Sequence, residues 1–283
     1  MSNSEGVVNR VSNRSLPRID PRLAAGALAL VSAGTLLIAR VALNAGLVPA
    51  FAGSMGTIQL LAVLGPALGA VMLATTTGDE IERVGLAFVG VFGLLVAVVP
   101  TVVVGAVVAI AVGGTLAVGR RWRRAERGTD WHLLPVVAIV GAIGISLFGS
   151  MGIEPTTLSA LGSHLFLLGG AATPALLGHG RADWAFGGVA AAVLVAIGTA
   201  APFVTGAVTL IGGGIVGASL LVLAVGLCGL VTTASAALRR HHWYAAVGAA
   251  LLIAGGVPAT VPRAMAVVLG VLLLVEPRGG VSA

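Results

Sequence analysis

Long apolar runs, nearly free of charge, dominate this chain and limit what it can fold into. Seven of them have 18 residues or more, and most charged residues cluster in the short segments between them. A helix needs about 20 apolar residues to cross the hydrocarbon layer of a bilayer, and a soluble core does not contain so many runs of this length. The pattern predicts an all-α, polytopic integral membrane helix bundle. The runs are Leu23–Leu43, Thr57–Thr76, Val84–Gly119, Leu133–Ser150, Leu158–Gly178, Ala185–Ala237 and Tyr244–Val275.

Three of these runs are too long for one crossing, and each contains proline in its interior. Proline removes a backbone donor and clashes with the preceding turn, so it breaks or kinks a helix. Dividing each long run into two helices gives about ten transmembrane helices in a single transmembrane domain over residues 23–276. The runs and their prolines are 84–119 with Pro100, 185–237 with Pro202, and 244–275 with Pro258 and Pro262.

The arginines predict the orientation of the bundle. With ten spans and a cytoplasmic N-terminus, fourteen of the sixteen arginines fall on the cytoplasmic side, as the positive-inside rule expects. A single crossing by 84–119 would instead place the cluster Arg120–Arg127 outside. We therefore expect a plasma-membrane protein with a disordered cytoplasmic N-terminus (1–22) and a cytoplasmic tail (277–283). The fourteen are Arg10, Arg14, Arg18, Arg22, Arg83, Arg120, Arg121, Arg123, Arg124, Arg127, Arg181, Arg239, Arg240 and Arg278.

The net charge of +6 indicates lipid rather than nucleic acid as the partner. The arginines flank the spans, where they contact anionic lipid headgroups at the inner loops. The 42 glycines produce small-xxx-small spacings, as in Gly65–Gly69 and Gly213–Gly217, which let helix backbones approach closely in lipid. We expect this packing to lie mainly within the chain, and a membrane-protein partner or a homo-oligomer stays open.

Two motifs recur in the same order and indicate an internal duplication. Gly-Ser-Met-Gly occurs at 53–56 and 149–152, and Arg-x-x-x-Ala-Phe-x-Gly-Val occurs at 83–91 and 181–189. The offsets are 96 and 98 residues. An even number of spans in each unit keeps both copies in the same orientation. The predicted parts are repeat 1 at about 23–127, repeat 2 at about 133–240, and a terminal hairpin at about 244–275.

Few ionisable residues lie near the outer side. They are Arg40, Glu154, His164 and Arg263, and Glu154 is the only carboxylate predicted there. An unpaired arginine in the bilayer is costly, so such residues usually pair or extend to the interface. One hypothesis is that the four form an outer polar site for an anion or a headgroup. The alternative is two separate snorkelling arginines and a histidine that faces a neighbouring helix.

The sequence contains no recognisable catalytic motif, phosphate loop, cofactor motif or metal-ligand spacing. No carboxylate lies within a predicted span, so the usual relay of a proton- or sodium-coupled carrier is missing. The span count and the duplication favour a transporter or permease-like protein for an uncharged or weakly polar solute. A non-catalytic scaffold or subunit of a larger membrane complex is the alternative. A carrier would show a cavity at mid-membrane, lined by polar groups such as Gln59, Thr173 or Ser219.

Overall fold

The computed structural model describes residues 20–44, 53–125 and 132–275, and their regular structure is helical, with no strand. This confirms the predicted all-α membrane bundle. Most of the predicted disordered N-terminus and cytoplasmic tail lies outside these residues. The helices are α1 (Pro21–Asn44), α2 (Met55–Thr76), α3 (Glu80–Val98), α4 (Val103–Arg124), α5 (Leu133–Ser150), α6 (Pro155–Ala172), α7 (Pro174–Leu177), α8 (Arg181–Ala200), α9 (Pro202–Ala207), α10 (Leu220–Arg239), α11 (Trp243–Gly255) and α12 (Val261–Leu274).

The long apolar runs break at their prolines, as predicted. A 3₁₀ turn at Pro100–Val102 separates α3 from α4, α8 ends just before Pro202, and Pro258 lies between α11 and α12. Within the described residues, eight helical segments are long and apolar enough to cross a membrane. The hairpin helices α11 and α12 have only 13 and 14 residues. The count of ten spans therefore stays a prediction, because it requires these two short helices to cross.

The short hairpin forms the centre of the bundle. Every residue of α12 except Pro262 is buried, and this helix packs against α11 and against α1 to α5. The sequence suggested a hairpin added to two repeats. In the structure the last helix is instead the element around which the first five are arranged.

Close glycine contacts set several helix crossings. A Cβ atom at Gly248 of α11 would lie 2.6 Å from the carbonyl oxygen of Gly270 in α12. A Cβ atom at Gly85 of α3 would lie 2.5 Å from the carbonyl oxygen of Gly113 in α4. Real Cβ atoms do not approach an oxygen so closely, so these backbones meet only because the residues are glycine. The predicted tight packing within the chain is confirmed at these crossings.

Acid–arginine pairs close two helical hairpins at one end of the bundle. Glu82, in the first turn of α3, is 1% exposed and lies 3.6 Å from Arg121 of α4; it also pairs with Arg124. Asp183, in the first turn of α8, lies 3.2 Å from Arg239 at the end of α10. An acid at a helix start and a base at a helix end both complement the helix dipole. We call this the arginine-rich end, and the other the opposite end.

The predicted internal repeat is matched in part by these contacts. Both hairpins have the same orientation and the same acid–arginine closure. The two Gly-Ser-Met-Gly copies differ, because 53–56 leads into α2 whereas 149–152 ends α5 and enters a turn. Helix α3 also packs on α2, whereas α8 packs mainly on α10 and α9. The duplication stays a prediction.

Candidate functional site

An irregular segment interrupts the last long apolar run at the opposite end of the bundle. After α9 the chain forms a π turn over Val208–Gly212, followed by non-helical backbone up to Ser219, where α10 begins. We call Val208–Ser219 the irregular segment. Gly214 and Gly217 have φ angles of 65° and 70°, a left-handed conformation that glycine adopts without steric cost. The predicted helix packing through Gly213–Gly217 was wrong, because this segment is not helical.

The irregular segment packs into the bundle rather than onto its surface. The N–H of Val216 donates to the Oγ of Ser163 in α6 at 3.0 Å. The carbonyl oxygen of Gly213 accepts from the N–H of Val257 at 2.8 Å. Gly212 is buried, and a Cβ atom there would lie 3.0 Å from the Cδ1 of Leu37 in α1. The segment therefore bridges α1, α6 and the link between α11 and α12.

Two independent contacts place this segment below the opposite end of the bundle. Helix α11 has 13 residues and rises about 20 Å, about 10 Å less than the hydrocarbon thickness. Val257, which pairs with the segment, follows this short helix. Ser163 is the ninth residue of α6, so it lies about 12 Å from the start of that helix. The irregular backbone fills the space that the short hairpin leaves.

Arg263 satisfies backbone carbonyls of the irregular segment. It lies in the first turn of α12 and is 8% exposed. Its Nη2 donates to the carbonyl oxygens of Ile211 at 2.9 Å and of Gly212 at 2.8 Å. Non-helical backbone at membrane depth is tolerated only where protein groups or water pair with it. Arg263 is therefore the residue that lets the chain leave the helical conformation here.

Arg40 of α1 lies beside Arg263. Both line a small cavity of about 10 Å³, which is about the space that one water molecule needs. The remaining lining comes from apolar and small residues of α1, α2, α11, α12 and the irregular segment. Two cations thus line one small cavity that no carboxylate of the described residues lines.

The other two residues of the predicted outer site lie elsewhere. Glu154 is exposed, with a φ of 39°, at the residue before α6, and among the described residues it forms no ion pair. His164 is half-buried, and its Nδ1 lies 2.7 Å from the carbonyl oxygen of Ala160 in its own helix. The structure therefore brings Arg40 and Arg263 together and shows no contact of either arginine with Glu154 or His164. The four-residue site stays a prediction.

A larger apolar cavity lies beneath the irregular segment. It has a volume of about 210 Å³ and is lined by α1, α6, α8, α10, α11 and the segment itself. Leu230 is the eleventh residue of α10, about 15 Å along a helix of membrane-spanning length, so the cavity reaches mid-membrane. The one side-chain hydroxyl in its lining is that of Thr209, which donates to the carbonyl oxygen of Thr205 at 2.9 Å.

The polar residues that the sequence analysis suggested for a mid-membrane cavity do not line this one. Gln59 is exposed, and Ser219 is exposed while capping α10. Thr173 is buried and hydrogen-bonded to Thr233 at 2.7 Å. The sequence signal that could have located the cavity was the shortness of the two halves of 244–275, which leaves space at one end of the bundle.

A separate polar cluster caps α3 at the arginine-rich end. The Oδ1 of Asp79 accepts from the N–H of Glu82 at 3.0 Å, and its Oδ2 accepts from the Nε of Arg120 at 2.8 Å. The hydrogen bond from the Glu82 backbone, supported by Arg120, lowers the pKa of Asp79 below its ordinary 3.8. This cluster fixes the α3–α4 hairpin. In the described ranges, His, Cys, Asp and Glu form no group of three or more able to hold a metal ion.

The fold, with eight described helical segments long and apolar enough to cross a membrane, is that of a polytopic integral membrane protein. Residues 22–275 match the integral membrane family of unknown function DUF8068, and the chain belongs to this family. Neither the curated proteins nor the solved structures that were compared with the chain gave a match.

Proposed function

We propose that this protein is a carrier-like membrane protein that takes an uncharged or weakly polar, slender solute into the apolar cavity beneath the irregular segment. The observation that carries the proposal is the 210 Å³ cavity, which reaches Leu230, the eleventh of the 20 residues of α10. Pockets for drug-sized ligands usually measure about 300–1,000 Å³, so this one suits a smaller solute. Its lining offers one hydroxyl and the backbone of the segment, so a charged solute would lose its hydration without compensation.

The interrupted helix supports a carrier. In transporters, helices broken by glycine or proline commonly form the substrate site near the bilayer midplane, because their exposed backbone can contact the solute. Here the irregular segment contributes Val208, Thr209, Gly213 and Ile215 to the cavity wall. A change in the segment would therefore change the shape of the cavity directly.

Helix α8 offers a route into the cavity from the lipid. Only three of its twenty residues are buried, Asp183, Gly187 and Gly198, yet its Leu194 lines the cavity. Helix α8 packs mainly on α10 and α9, so opening this route would separate α8 from α10 and break the Asp183–Arg239 pair. We propose this helix as the lateral gate.

The lipid-facing side of α8 and α9 favours a second function. Phe203 is 92% exposed, and Val189 and Phe186 are about 60% exposed. A scaffold would bind a partner membrane protein on this surface. A scaffold role would explain this exposed surface but not the cavity. A carrier role explains the cavity, so we prefer it.

Photolabelling tests whether the cavity binds a solute. The probe is an octanol analogue with a diazirine, which is slender and uncharged, and the labelled residues are identified by mass spectrometry. We expect saturable labelling of α8 and α10 near the cavity that excess octanol prevents. Leu227→Trp, which fills the cavity, should abolish it. Leu221→Trp, on the same helix but 72% exposed, should retain it. Labelling that does not saturate, or that both variants share, would refute the cavity as a binding site.

Cysteine accessibility tests whether the protein is a carrier. In a Cys228→Ser background, Leu223→Cys places one thiol in the cavity wall. A carrier exposes its site alternately, so small membrane-permeant and impermeant thiol reagents should reach this position from both sides, and octanol should slow the reaction. A scaffold should leave the thiol unreactive from both sides.

A further inference from the structure

The opposite end of the bundle carries more positive than negative charge. Of the six carboxylates among the described residues, five lie at the arginine-rich end: Asp20, Asp79, Glu80, Glu82 and Asp183. The sixth, Glu154, is exposed and forms no ion pair among the described residues. Residues 45–52, between α1 and α2 in the sequence, contain no charged side chain, because they read Ala-Gly-Leu-Val-Pro-Ala-Phe-Ala. Among the residues that the structure describes, no carboxylate pairs with Arg40 or Arg263.

The geometry around the two arginines leaves room for an anion. They line the same cavity of about 10 Å³, so their like charges repel each other. Only the Nη2 of Arg263 is used by backbone carbonyls. Within the described part of the chain, its Nε and Nη1 have no acceptor, and the guanidinium of Arg40 has none.

An anion between them would remove this imbalance. Two neighbouring cations at low dielectric repel each other strongly and are poorly hydrated. A guanidinium pairs best with the oxygens of phosphate or carboxylate groups, because its planar donors match them. The cavity has space for about one oxygen atom between the two side chains, while the rest of a larger anion would extend past the half-buried Arg40 toward the opposite end.

We infer that Arg40 and Arg263 form a binding site for one anionic oxygen of a phosphate group. The group belongs either to an anionic phospholipid of the facing leaflet or to free phosphate. This site is separate from the apolar cavity and does not depend on the proposed carrier function. Arg263, which donates hydrogen bonds to the carbonyl oxygens of the irregular segment, would then also contact the bound anion. The anion and the irregular segment would share this one side chain.

Two binding experiments distinguish the sources. In the first, the protein in a zwitterionic detergent is titrated with inorganic phosphate at constant ionic strength, and binding is followed by ³¹P NMR line width. In the second, the protein in zwitterionic nanodiscs receives increasing phosphatidylglycerol, and bound lipid is counted by native mass spectrometry. Saturable binding in the first arm assigns free phosphate, and binding in the second arm alone assigns the headgroup. The absence of saturable binding in both arms would overturn the inference.

Variants identify the residues responsible. Arg40→Gln should weaken the binding by about ten-fold, because one of two charge-assisted contacts is lost. Arg123→Gln, an exposed arginine at the arginine-rich end, is the matched control and should bind within about two-fold of the wild type. Equal binding by wild type and Arg40→Gln would also overturn the inference.

A measurement on the wild type keeps the test decisive if Arg40→Gln does not fold. A ligand that binds only the folded state raises the unfolding temperature in proportion to the logarithm of its concentration above the dissociation constant. Phosphate, or phosphatidylglycerol in the lipid arm, should therefore raise the unfolding temperature, whereas sulfonate buffers of equal ionic strength should not. An unfolding temperature that responds only to ionic strength would contradict the site.

Discussion

Replacing Arg263 with methionine should destabilise the protein, although it removes a buried charge. Methionine has a similar length but no donor, so the carbonyl oxygens of Ile211 and Gly212 lose the hydrogen bonds of 2.9 and 2.8 Å that Arg263 provides. A buried acceptor left without a donor costs about 1–3 kcal/mol. Two such carbonyls give about 2–6 kcal/mol for the loss.

Relief of the charge offsets part of this loss. Burying an arginine has a desolvation cost, and replacing a buried charge with an apolar residue is sometimes stabilising. Among the described residues no other donor bonds to these carbonyls, so we expect a net destabilisation of about 2–3 kcal/mol. For a chain of this size, that lowers the unfolding temperature by about 4–12 °C.

The assay is thermal unfolding of the purified protein in a zwitterionic detergent without phosphate. Arg40→Met is the matched control, since Arg40 donates to no carbonyl of the described residues and its removal relieves repulsion with Arg263. We expect its unfolding temperature to equal or slightly exceed that of the wild type. If Arg263→Met is as stable as the wild type or more stable, Arg263 does not hold the irregular segment.

Three further predictions test other parts of the structure. Glu82→Gln should destabilise the protein by about 3 kcal/mol in chemical unfolding, because it breaks a buried ion pair. The control Glu80→Gln, at an exposed residue, should change the stability little. Equal effects of the two substitutions would show that the ion pair of Glu82 does not stabilise the protein. Gly214→Ala should lower the unfolding temperature, because its φ is 65° and a Cβ would lie 2.0 Å from Arg263 Nη1, while Gly206→Ala, with open space around it, should not. The lowered pKa of Asp79 means that its contribution is present above pH 3.8 and is lost as the pH falls through its folded value; Asp79→Asn should flatten that part of the pH–stability curve, and an unchanged curve would contradict the assignment.

The sequence was sufficient to predict the membrane bundle and the helix breaks at Pro100 and Pro202. Apolar runs of 18 residues or more leave few alternatives to membrane helices, and proline interrupts helices for local reasons. The breaks at Pro100 and Pro202 are therefore where the sequence predicted them. The same physics predicted close glycine crossings, although not which helices would meet.

The irregular segment could not be predicted, because its residues are as apolar as those of a helix. Val208–Ser219 contains four glycines, and glycine is equally compatible with tight helix packing and with left-handed backbone. What decides between them is tertiary: the short hairpin leaves a space, and Arg263 supplies donors from a distant part of the sequence. The short hairpin also leaves the small cavity that Arg40 and Arg263 both line. The sequence could not show that these two arginines meet there and that Glu154 does not join them.

The depth of the irregular segment tests the structural account most directly. A nitroxide at Val216→Cys, in the Cys228→Ser background and in nanodiscs, reports its depth through its relative accessibility to oxygen and to a water-soluble nickel chelate. The structure predicts a position about 10 Å below the membrane surface, with low accessibility to the chelate. High chelate accessibility, as in a loop at the surface, would show that the segment does not enter the membrane and that no cavity lies beneath it at mid-membrane.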